Sequence, residues 1–177
     1  DNIKRIVSSY LDKNLVEKIV QGSIIGERQD ITMMLISLKN LNTLVKSDSY
    51  TDLMNKYFRI ITNSVYSNRG VLGHLAGSDI IAIFNAPRAQ EEHESAAVRT
   101  ALKISEGLSA YPELTVGIGI NSGQAAIGLN AKILKFMPSK GLAFIAQKLK
   151  EKSKNEVLIS KNLNDIVREN FKTHRYG

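Results

Sequence analysis

Residues 70–87, GVLGHLAGSDIIAIFNAP, decide how this chain is read. Two short apolar runs, 71–76 and 79–84, are separated by Gly77-Ser78 and followed by Pro87. That pattern predicts a tight hairpin of two strands, since a proline cannot continue a ladder. Upstream, the run ITMMLISL over 31–38 is apolar at both parities, as expected for a central strand buried on both faces. Between them, Leu53, Tyr57, Ile61 and Val65 recur at helical spacing. They predict a helix over 50–67, opened by the S-x-x-D pair Ser49 and Asp52 and ended at Arg69-Gly70.

Downstream, Ala97, Ala101, Ile104 and Leu108 place a helix over 91–108. In 115–121, Val116, Ile118 and Ile120 alternate with Gly117 and Gly119. This predicts a strand whose glycine face admits a close neighbour. Asn121-Ser122-Gly123 is a turn signal, so a hairpin return over 124–128 is expected. A helix over 141–152, a short strand over 156–159 and a last helix over 162–169 follow. The order strand, helix, strand, strand, helix, strand is a ferredoxin-like α+β arrangement, read as a two-layer sandwich with helices on one face of a mostly antiparallel sheet.

The chain has 177 residues, 43% hydrophobic and 23% charged, enough for one domain with a real core. It has no cysteine, which excludes disulfides and thiolate zinc sites. His74, His93 and His174 form no metal-ligand spacing, and no metal is expected. No apolar run is long enough for a membrane span. The formal charge is +7, with Lys132, Lys135, Lys140, Lys148, Lys150, Lys152 and Lys154 clustered late. Such a stripe suits nucleic acid, acidic lipid or nucleotide phosphate, and equally a solvated helix face. No aromatic residues interleave with it as a base-stacking surface requires, so no nucleic-acid partner is expected. The sequence opens at Asp1, and Ile6, Val7, Leu11, Leu15 and Ile19 mark a helical entry segment over 1–26. The expectation is a piece of a longer polypeptide, with any sensor or membrane anchor in segments outside this chain and the domain itself, 27–177, in the cytoplasm.

Four stretches stand in a telling order: DITMMLISLKNLNTL (30–44), GHLAGSDIIAIFNAPRAQEEHESAAVRTAL (73–102), GIGINSGQAAIG (117–128) and LAFIAQKL (142–149). Together they resemble the class III adenylate/guanylate cyclase catalytic domain over roughly 26–160. The resemblance implies that family's ferredoxin-like α/β sandwich and head-to-tail pairing of two domains, as a homodimer or heterodimer. It also implies two nucleotide sites across the interface, where the ribose 3′ oxygen attacks the α-phosphate on metal ions. The family's closing strand pair is not matched within 27–177.

The working positions depart from the family's pattern. Its two metal-binding aspartates fall on Ser37 and Ser78. Its base-reading lysine falls on His74, and the partner of that lysine on Met137. Its ribose-orienting asparagine becomes Phe144, and its phosphate-binding arginine becomes Lys148, the one replacement that keeps a charge and a candidate phosphate contact. Lysine offers a point charge without the planar fork of arginine. Magnesium wants anionic oxygen ligands, which two serines do not supply. Losing about 4 kcal/mol of charge stabilisation slows a reaction roughly a thousandfold.

The implied function is a catalytically inactive pseudo-cyclase acting as a dimerisation or regulatory module in a signalling protein, without a cofactor. The alternatives are a divergent cyclase using Mg or Mn, with Asp30 or Asp79 as ligands, and a nucleotide sensor without turnover. Each position also has an ordinary reading: a hairpin histidine at His74, strand-end hydroxyls at Ser37 and Ser78, core or interface packing at Met137 and Phe144, and a surface lysine at Lys148.

Overall fold

The computed structural model describes residues 27–74, 78–130 and 133–176. The helical entry segment expected over 1–26, the hairpin glycine Gly77 and the ring of His74 lie outside the described residues and side chains. The chain runs β1 (Glu27–Leu38), α1 (Leu41–Leu44), α2 (Tyr50–Ser67), β2 (Val71–His74), β3 (Ile80–Phe84), α3 (His93–Leu108), β4 (Val116–Asn130), β5 (Ile133–Pro138), α4 (Lys140–Lys152), β6 (Val157–Ile159) and α5 (Lys161–Val167).

The strands form one sheet in the order β2-β3-β1-β4-β5, with β6 also paired to β4. All pairs are antiparallel except β4 with β6. β4 is long enough to serve two partners on one edge. Ile118–Ile120 pair with β6, and 125–130 pair with β5.

The double apolarity of β1 is resolved by cover on both faces. Met34, Ile36 and Leu38 join Tyr57, Ile61 and Val65 of α2, Ala97, Ala101 and Ile104 of α3, and Leu163 and Val167 of α5 in the larger core. Ile31, Met33 and Leu35 meet Leu142 and Ala146 of α4 on the opposite face. The expected helices on one face therefore need correction: α4 lies on the other side, because a strand apolar at both parities leaves neither side for water.

A second expectation fails at Asn121-Ser122-Gly123. β4 passes straight through these residues, paired to Met33, Thr32 and Ile31. Asn121 is buried, and its side-chain oxygen is satisfied by neighbours: Oδ1 accepts from Ser122 N at 2.9 Å and from Ser160 Oγ at 2.7 Å. The ladder to β1 outweighs the local turn preference. β4 runs on to Asn130 and pairs antiparallel with β5, which sequence periodicity did not reveal.

The glycines of β4 behave as expected. A Cβ built on Gly117 would lie 2.5 Å from the Lys150 carbonyl oxygen. On Gly119 it would lie 2.4 Å from Lys150 N and 2.5 Å from the Ala146 carbonyl oxygen. The bare backbone of β4 is the bed on which α4 lies. Helix boundaries differ slightly from expectation. Ser49 sits at the N-cap of α2 without a side-chain cap bond, and Asp52 instead pairs with Lys56 at 3.0 Å.

Candidate functional site

The site is built where β1 ends beneath the β2–β3 hairpin. Ser37, next to last in β1, shares the parity of Ile31, Met33 and Leu35 and stands opposite Gly117. It is half-buried. Ser78 follows the hairpin turn and is 3% exposed. Its Oγ accepts a hydrogen bond from Leu38 N at 3.1 Å, so the hydroxyl ties the hairpin to the end of β1. Its carbonyl oxygen accepts from the Tyr57 hydroxyl at 3.0 Å. Burial first, and the nearby Asp79 carboxylate second, push the Tyr57 hydroxyl well above the usual phenol range, so it stays a donor. His74 ends β2 opposite Ile80.

Asp79 does not turn toward a cation site made of carboxylates. Its Oδ2 lies 3.4 Å from Lys150 Nζ. Asp30, the other acid considered as a substitute ligand, is exposed near the far end of β1, beside Gln124 of β4. Six residues of strand, about 20 Å, separate its register from that of Ile80 beside Asp79. The two acids therefore cannot share one ion. Among the described residues, no three His, Cys, Asp or Glu side chains gather as a metal cluster.

The remaining positions lie on the outer side of β5 and α4. Ser139 opens α4 by accepting from Leu142 N at 3.3 Å. Leu142, Ala146 and Lys150 then face the sheet, and the opposite stripe faces out. Met137 is 45% exposed and Phe144 is 62% exposed, so neither is a core residue and the core-packing reading is corrected. Ile145 is exposed beside them. Lys148 Nζ lies 5.5 Å from the centre of the Phe144 ring and 3.7 Å from Glu151 Oε2. Within one chain the structure thus joins Ser78 to the end of the strand bearing Ser37, and holds Met137, Phe144 and Lys148 on a separate outer surface.

The residue that sequence reasoning missed is Lys150, taken there as one more member of the basic stripe. Its signal was present: Leu142, Ala146 and Lys150 fall four residues apart, on the stripe a helix buries. A lysine there needs an anion.

Lys39 completes this corner, its ammonium donating to the carbonyl oxygens of Glu151 at 2.6 Å and Ser153 at 2.5 Å, the last turn of α4. On the other face of the sheet, His93 Nδ1 lies 2.7 Å from Thr32 Oγ1, which in turn lies 3.2 Å from Ser122 Oγ.

No family model matches the chain. Adenylate cyclase 1 of Rhizobium meliloti is 27% identical over 135 residues, which cover 67% of this chain and 20% of that protein. An uncharacterized protein of Mycobacterium tuberculosis is 31% identical over 107 residues, covering 58% of this chain and 19% of its own length. The chain thus spans about a fifth of the length of the curated relatives it matches. Among solved structures, the adenylyl cyclase CyaB from P. aeruginosa superposes with a TM-score of 0.72 at 17% identity, over 81% of this chain and 83% of that one. The guanylate cyclase domain of RhGC from Catenaria anguillulae, solved in complex with GTP, gives 0.71 at 18% identity, over 82% and 86%. The fold is that of the class III adenylyl/guanylyl cyclase catalytic domains.

Proposed function

We propose that this cyclase-homology domain is catalytically silent and works as a dimerisation or regulatory module of a larger signalling protein. One observation carries the reading. At the corner where the resemblance puts two metal-binding carboxylates stand two neutral hydroxyls, and one of them, Ser78 Oγ, already accepts a hydrogen bond from Leu38 N. The nearest carboxylate, Asp79, is paired with Lys150. The residues present therefore do not fit magnesium or manganese, which take anionic oxygens. Without a cation to absorb developing charge, phosphoryl transfer loses its main source of stabilisation.

The assembly half of the proposal rests on the outer stripe of α4. Met137 and Phe144 give apolar surface on positions that the resemblance assigns to the partner's site, and the exposed Ile145 extends it. A guanylyl cyclase domain of the same fold, from Blastocladiella emersonii, is described both as a non-canonical dimer and as a monomer, and the head-to-tail geometry rests on the resemblance. The proposed partner is a second cyclase-type domain, identical or related, docked head to tail. Lys148 is the position at which a phosphate contact would survive if nucleotide binding does. Placement in the cytoplasm and the lack of a nucleic-acid partner belong to the same proposal. No helix among the described residues is long and apolar enough to cross a membrane.

The test is a cyclase assay on the purified chain with ATP and GTP, in magnesium and in manganese, alongside sedimentation analysis. No cyclic nucleotide and a concentration-dependent dimer are expected. Metal-dependent formation of cyclic AMP or cyclic GMP would overturn the silent reading and return the divergent-cyclase alternative.

A further inference from the structure

Lys150 is the least expected charge in this fold. Its side chain is 7% exposed, in the last turns of α4, on the same stripe as Leu142 and Ala146 that faces the sheet. Water-starved ammonium groups require an anion, and among the described residues Asp79 Oδ2 lies at 3.4 Å.

The backbone of Lys150 cannot move aside to relieve this. Its carbonyl oxygen and its amide nitrogen rest on Gly117 and Gly119, where even a methyl group would collide. Gly117 is the register partner of Ser37. Asp79 directly follows Ser78, whose Oγ holds Leu38, the residue after Ser37. The side chain of Lys150 therefore leaves α4 over the Gly117–Ser37 rung and ends at the hairpin. Its positive charge lies against Asp79, the residue that follows Ser78.

We infer that the Lys150 ammonium is a built-in cation that takes the place of a divalent metal at this corner, holding the β2–β3 hairpin to α4 without an ion. The inference rests on the reading of Ser37 and Ser78 as former ligand positions and adds the residue that replaced what they held. The charges agree with it. Two neutral hydroxyls, the Asp79 carboxylate and the Lys150 ammonium sum to zero, and the Lys39 ammonium at the end of α4 adds a further positive charge. A divalent ion entering the corner would meet one monoanion and a cation it must displace. Lys150 is thus a positioning residue, acting on the hairpin through Asp79.

The test uses the full 177-residue chain and Mn2+ alone as the probe, followed by water-proton relaxation and by thermal melting. A carboxylate is restored by Ser78→Asp, with and without Lys150→Met. The unaltered chain and S78D are expected to show no Mn2+ binding and no rise in melting temperature with Mn2+. The double variant S78D/K150M is expected to bind Mn2+ at least about tenfold more tightly than S78D and to melt higher in its presence. Equal Mn2+ affinity of S78D and S78D/K150M would overturn the inference. If K150M variants do not fold, S78D decides alone: a Mn2+-dependent rise in its melting temperature shows that the ammonium does not hold the cation's place. Cyclic nucleotide formation by the unaltered chain would instead overturn the proposed function. The two failures are therefore separable.

Discussion

Replacing Gly119 by alanine should be the most damaging single-methyl change in this domain. The added Cβ would stand 2.4 Å from Lys150 N, 2.5 Å from the Ala146 carbonyl oxygen and 2.8 Å from Leu149 Cβ. Two of these atoms are backbone and the third is fixed to it, so no rotamer change relieves the clash. Reaching an ordinary contact of about 3.4 Å requires α4 to lift by about 1 Å from β4. That motion loosens Leu142 and Ala146 from Ile31, Met33 and Leu35 and draws Lys150 away from Asp79. Overpacking of this kind costs about 3 kcal/mol, the upper end of the usual range, because the obstacle is main chain. In a domain of this size the melting temperature should fall by about 6–12 °C. Far-UV circular dichroism melts and urea titration measure both quantities. Gly141→Ala is the control. It lies in the first turn of α4 with nothing within 4 Å of a built Cβ, and should stabilise by about 0.5–1 kcal/mol through helix propensity. If G119A is as stable as the unaltered chain, α4 does not rest on β4 as described, and the placement of Lys150 fails with it.

Three further outcomes are expected. Tyr57→Phe leaves the buried Ser78 carbonyl without its donor and should cost about 1–3 kcal/mol in urea titration; no change would mean that Tyr57 does not pin the hairpin. Burial pushes the His93 imidazole below its usual value, against the opposing carboxylates of Glu94 and Asp30. The folded state therefore favours neutral His93: its contribution is complete above about pH 6.5, the unfolded value, and is lost as pH falls through the lower folded value. Melting temperature against pH should show this loss, and His93→Gln should remove that component of the slope. Phe144→Asp, on an outward face, should leave the stability of the monomer unchanged within about 0.5 kcal/mol while weakening self-association in sedimentation velocity. Dimerisation unaffected by F144D would place the interface elsewhere.

Much of this architecture follows from local pattern. The apolar parity of β1, the i, i+4 spacing in α2 and α3 and the Gly117/Gly119 alternation depend only on which side chains tolerate water at a period of 2 or 3.6. Those periods are written residue by residue. The serines at 37 and 78, where the resemblance implies carboxylates, are likewise read from the chain once the motif order is seen.

Three features were decided only by long-range packing. Asn121-Ser122-Gly123 has the composition of a turn, yet the ladder to Ile31–Met33 and the bonds to Ser160 and Leu142 keep it extended. The strand Ile133–Pro138 exists because β4 outruns β6 and leaves an edge to pair. Lys150 reads as one lysine in a basic run until α4 is laid on the glycines of β4, which carries it to an aspartate 71 residues away in sequence. Periodicity reports which face of an element is buried. It does not report what that face meets, because the partner of a buried charge is set by the docking of separate elements.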